Sequence, residues 1–93
     1  MQKVRFYVGS NNTTHELERE KIEGVLAQHY EGFSAFEIVG YWNGEREKSL
    51  MIEVISEEPA TLHAKVAKKL CEVCEQDTVM LEVTEVNATF ISK

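Results

Sequence analysis

Proline occurs once in these 93 residues and glycine five times, too few for a linker, a collagen-like repeat or a low-complexity segment. The two cysteines, Cys71 and Cys74, stand three positions apart and cannot staple a small secreted fold, which places the chain in a reducing cytosol. Basic residues are short as well. Ten lysines and arginines face sixteen acids, for a net charge of −6, which excludes sequence-independent binding to a nucleic acid polymer or to anionic lipid. No apolar run approaches the ~18 residues of a membrane span, and no signal-peptide pattern opens the chain. What remains is 43% hydrophobic. A chain of this length buries about 64% of its unfolded surface, enough for one domain over residues 1–93 with one core. It leaves little room for a deep enclosed site.

The first run alternates, with Val4, Phe6 and Val8 on one side and Lys3, Arg5 and Tyr7 on the other, as a strand does. Turn formers from Gly9 to Thr14 break it. Thr13 followed by Glu16 matches a capping box, so a helix is expected over 14–30, with Ile22, Val25 and Leu26 on its apolar stripe. Residues 33–42 and 45–55 read as strands joined by Asn43-Gly44, a hairpin signal because both central residues of a type I′ turn need positive φ. Ser56 to Pro59 starts a second helix. Leu62, Val66, Leu70 and Val73 carry it to about Cys74, and a last strand covers Thr78 to Val86. The order strand, helix, strand, strand, helix, strand predicts an α+β, ferredoxin-like βαββαβ fold: a four-stranded antiparallel sheet with two helices on one face.

The two-residue turn sets a register that pairs Trp42 with Glu45, Gly40 with Glu47, Ile38 with Ser49 and Phe36 with Met51. Leu50, Ile52 and Val54 then face the helices beside Val39 and Tyr41. The open face takes Phe36, Ile38, Trp42, Met51 and Ile55, mixed with Glu47, Ser49 and Glu53. Glu37 falls on the helix side, an objection that a bulge or longer loop would remove by swapping the faces. In either register both faces hold large apolar groups, and such a patch drives association. A homo-oligomer is expected.

The Gly9–Thr14 loop offers hydroxyls, amides and free N–H groups. At a helix N-terminus these suit phosphate or carboxylate, unless Thr13 merely caps and the asparagines merely turn the chain. The CxxC pair falls at a helix C-terminus with Cys74 on the apolar stripe, which fits burial better than redox or zinc chemistry. His15, His29 and His63 share no metal-ligand spacing. No P-loop, GxGxxG or Ser-His-Asp order occurs, so neither a cofactor nor a metal is expected, and an enzyme is disfavoured.

The stretch Gly40-Tyr41-Trp42-Asn43-Gly44-Glu45-Arg46-Glu47-Lys48-Ser49-Leu50-Met51-Ile52 resembles the central hairpin of the PII-like superfamily. Within it, the stretch is most similar to divalent-cation-tolerance (CutA-like) proteins. Together with the opening Phe6-Tyr7-Val8-Gly9-Ser10-Asn11-Asn12, it also resembles small uncharacterised phage and bacterial proteins of ferredoxin-like fold. The resemblance implies trimers that bind ligands between subunits. The hairpin is too short for a PII nucleotide-sensing loop, and the cation-tolerance family's other motifs are missing from residues 71–86.

These readings converge on a non-catalytic, cytoplasmic oligomer, a trimer by resemblance, binding a small anionic or nucleotide-type ligand between subunits. Ser10, Asn11, Asn12 and Thr14 would donate hydrogen bonds, and Arg5 would supply charge. Tyr41 or Trp42 would stack, and Glu47 and Ser49 would line the same boundary. A phage-type protein sequestering a nucleotide signal is one version, by fold analogy. The alternatives are a protein-interaction module using the open face and a small enzyme with an intersubunit site. For the enzyme, Glu47, Ser49 and the Gly9–Thr14 loop would have to converge in one cleft.

Overall fold

Six elements are present in the computed structural model, which describes residues 1–93. They are β1 (Gln2–Val8), α1 (Arg19–His29), β2 (Ser34–Trp42), β3 (Glu45–Ser56), α2 (Ala60–Val73) and β4 (Met80–Glu85). The strands form one antiparallel sheet in the order β2-β3-β1-β4. Each βαβ unit is therefore split by a strand from the other, the expected ferredoxin-like arrangement. Residues 87–93 carry no regular structure.

The hairpin register is the one that Asn43-Gly44 dictates. Both residues have positive φ, 49° and 79°, and Trp42 faces Glu45, Gly40 faces Glu47 and Phe36 faces Met51. No bulge intervenes. Glu37 does lie on the helix side, but at an exposed edge where it meets Arg19 Nη1 at 3.2 Å. The charge is solvated there, which removes the objection.

Fourteen buried residues make one core between sheet and helices. Val4, Phe6 and Val8 of β1 sit in its centre beside Leu50, Ile52 and Val54 of β3, all at most 3% exposed. The helices close it with Ile22, Val25 and Leu26 from α1 and Val66, Ala67 and Leu70 from α2. One polar pair is buried with them. The Tyr30 hydroxyl and His63 Nδ1 are 2.6 Å apart, and the two rings stack at 20°. Burial pushes the Tyr30 phenol up to about 12 and lowers the His63 pKa, against a pull from Glu58 the other way. Cys74 closes the core, and burial pushes its thiol up to about 11.

The first helix departs from expectation. It begins at Arg19 rather than Thr14, with Glu18 at the N-cap and no side-chain cap. Asn11 is the cause. Its Oδ1 accepts the N–H groups of Thr13 (2.7 Å) and Thr14 (3.0 Å), an Asx turn that takes the donors a helix start would present. His15 then adopts φ 62°, which no α-helix accommodates. The second helix ends as a Schellman motif: the Gln76 N–H donates to the Cys71 carbonyl (3.0 Å), and Glu75 takes the left-handed position at φ 48°.

Candidate functional site

At the end of the sheet where β1 leaves, the chain from Ser10 to Arg19 approaches the β2–β3 hairpin and encloses a cleft of about 720 Å³. The loop residues Ser10, Asn11 and Asn12 line it with Trp42 and Glu47 from the hairpin. These five, singled out from the sequence, come together. Four others do not: Arg5, Thr14, Tyr41 and Ser49 are absent from the lining.

Local packing explains the division. Arg5 projects from the middle of the open face, where Tyr7 and then Glu53 (2.9 Å) raise its already high pKa. Thr14 turns its hydroxyl to the Glu16 N–H (3.3 Å). Tyr41 points to the opposite side of the hairpin from Trp42, by the alternation of the strand. Ser49 is buried against Gly40, where any Cβ would come within 2.7 Å of its Oγ.

Glu47 is held from two sides. Its Oε2 accepts the Ser10 N–H at 3.3 Å, and a Cβ at Gly9 would collide with its carboxylate. A side chain at that position would make the Glu47 carboxylate swing aside. The Ser10 hydroxyl donates to the Lys48 carbonyl at 2.7 Å, and Gln76 Nε2 donates to the Ser10 carbonyl, so β3 and the end of α2 both fix the loop.

Asn11 is 2% exposed and its hydrogen-bonding groups are engaged within the chain. Besides the turn bonds, its Nδ2 donates to Glu75 Oε2 (3.1 Å) and Glu18 Oε1 (3.3 Å). It shapes the cleft and has no group to spare for a ligand. Because α1 starts eight residues later, the loop is no helix N-terminus and lacks the helix dipole expected to favour an anion there.

Sequence reasoning missed His15, Glu16, Leu17, Arg19 and Asp77 on the lining, together with Glu37, Glu45, Arg46 and Lys48. The hairpin register would have found Glu45, across from Trp42, and Arg46 and Lys48, on either side of Glu47. Nothing local marks the others. Five acids and three bases line the cleft, and Glu47 alone of the acids is not exposed. No group of three or more His, Cys, Asp and Glu is arranged to hold a metal ion, and no helix is long and apolar enough to cross a membrane.

The sequence matches no protein-family model and no curated protein. Among solved structures it is similar to a phage SAM lyase in its apo state, with a TM-score of 0.71 at 19% identity, covering 98% of this chain and 92% of that one. The phage SAM lyase in complex with S-methyl-5′-thioadenosine gives 0.61 at 21%, over 90% and 80%. A DUF3240 family protein from Shewanella baltica OS155 gives 0.66 at 16%, over 99% and 97%. These likenesses show a shared fold.

Proposed function

We propose that the protein is a homo-oligomer that binds a small nucleoside-type ligand in the Ser10–Arg19 cleft. The observation that carries this reading is the meeting of Trp42, Ser10, Asn12 and the part-buried Glu47 carboxylate around 720 Å³. An aromatic platform beside a few polar groups is the usual make-up of such a site, and the volume lies in the usual range. The acidic balance of the lining selects against polyphosphates and for a neutral or cationic nucleoside, such as one bearing an amine or a sulfonium. This narrows the anionic ligand expected from the loop alone, and it confines any signal-sequestering role to weakly charged nucleosides. The phage SAM lyase of similar fold, solved with S-methyl-5′-thioadenosine, supports the ligand class. A trimer with the open sheet faces turned inward accounts for the apolar groups there.

Titration calorimetry with S-methyl-5′-thioadenosine, S-adenosylmethionine and ATP tests the reading. Heat from the first two, quenching of Trp42 fluorescence, and at least tenfold weaker binding by Trp42→Ala are expected, a loss of about 1.4 kcal/mol. No heat from either nucleoside would sink it.

A second reading makes the same cleft an active site. Glu47 favours it: a carboxylate fixed by the Ser10 N–H, in reach of a bound cation, can orient a sulfonium or accept a proton. Here the S–Cγ bond of S-adenosylmethionine would break as the substrate's own carboxylate closes on Cγ, releasing S-methyl-5′-thioadenosine and an aminolactone with no other reactant. Both products would accumulate on incubation, less so with Glu47→Gln. Substrate that binds and stays intact leaves the non-catalytic reading in place. A protein-interaction role for the open face would instead give a monomer that pairs with a different chain.

A further inference from the structure

The outer half of the β2–β3 hairpin runs past the helices as a two-stranded arm. On its helix side Val39 and Tyr41 are 57% and 69% exposed, and on its other side Trp42 is 67% exposed. The molecule measures 44 × 23 × 21 Å, with a radius of gyration of 13.5 Å against about 12 Å for a compact chain of this length. Such an outline fits a projecting element. A lone two-stranded ribbon with apolar groups on both sides is marginal in water and is stabilised by a second surface.

Charge says what that surface is. Arg46 lies across from Tyr41 and Lys48 across from Val39, so the helix side of the arm joins two apolar groups to two bases. Neither base forms an ion pair within the chain. At the opposite end of the sheet a second cleft, of about 870 Å³, is lined by Phe33, Ile55 and Phe90 with the acids Glu31, Glu57 and Glu58. Those acids have no basic partner either. The helix side of the arm is complementary to the far cleft, while Glu45 and Glu47 lie on the arm's other side.

We infer that the arm of one copy seats in the far-end cleft of the next. Val39 and Tyr41 meet its apolar lining, and Arg46 and Lys48 meet its acids. The contact is head-to-tail, so three repeats close the ring in which the open sheet faces turn inward, and that ring holds only while the arms are seated. The inference rests on the oligomeric reading above and names the surfaces that join. It also couples assembly to binding, because Arg46 and Lys48 border the ligand cleft and a seated copy stands at that cleft's open side.

Two exposed double variants of the full chain test this. Tyr41→Ser with Arg46→Ser disables the arm, and Glu57→Lys with Glu58→Lys disables the far cleft, which is remote from the ligand site. Light scattering is expected to give a multimer for the wild type and a monomer for each variant at the same concentration. Mixed, the variants should form a one-to-one heterodimer, since one arm and one cleft survive per pair. If either variant lost its circular dichroism, Val39→Ser or Glu31→Lys would replace it. A variant that keeps the wild-type mass, or a mixture that stays monomeric, overturns the head-to-tail contact while the oligomer stands. A wild type that is monomeric up to its solubility limit overturns both.

Discussion

Both faces of the sheet carry large apolar side chains, and the two meet different surroundings. On the helix side Phe6, Leu50 and Ile52 are fully buried, and one polar pair is admitted with them, Tyr30 with His63 Nδ1, while His63 Nε2 has no partner. On the open side Phe36 and Met80 are 46% and 59% exposed. The polar groups among them also satisfy one another, Arg5 with Glu53 and Tyr7 with Glu82. The first face holds the chain together. In the proposed assembly the second is covered, and because Arg5 and Glu53 already pair with each other, covering them leaves neither stranded without a partner.

Substitutions separate the two roles. Phe6→Ala empties the centre of the core and should cost about 3–5 kcal/mol in denaturant unfolding. Asn11→Ala, at the rim where the faces end, orphans two backbone N–H groups and should cost about 1–3 kcal/mol, with the cleft loop losing protection first. The buried His63 gives the helix side a pH dependence. Its folded pKa lies below the usual 6.5, so the unfolded chain binds the proton more readily. Stability should be full above pH 6.5 and fall as the pH drops from there toward the lowered folded value. Melting temperatures across pH 5–8 check this, and His63→Gln should flatten the slope. Phe36→Ala is the gentlest on the fold, with an unfolding change under about 1 kcal/mol. It should lower the oligomer mass at dilution, and a large loss of monomer stability instead would erase the contrast between the faces.

Much of this architecture was legible in the chain because it is written in local signals. Asn43-Gly44 sets the register, and the register assigns every side chain of β2 and β3 to a face. The second helix was readable too, because Pro59 and the Leu62–Val73 stripe lie within it. The start of the first was not. Thr13 and Glu16 have capping-box spacing, but Asn11 takes the donors, and Asn11 is held by Glu75, which lies 64 positions away. The same distance hid half of the candidate site. Part of its hairpin wall follows from pairing, while no local signal brings His15, Arg19 and Asp77 to the cleft.

Glu75 therefore does more than end a helix. Its backbone adopts a left-handed conformation that costs about 1–2 kcal/mol in a residue with a Cβ, and its carboxylate reaches Asn11 from there. The loop is thus clasped to the last turn of α2, although in sequence it leads into α1. Opening motions of the cleft loop should follow α2, and its slow-exchanging amides should share that helix's hydrogen-exchange rate rather than that of the helix it precedes.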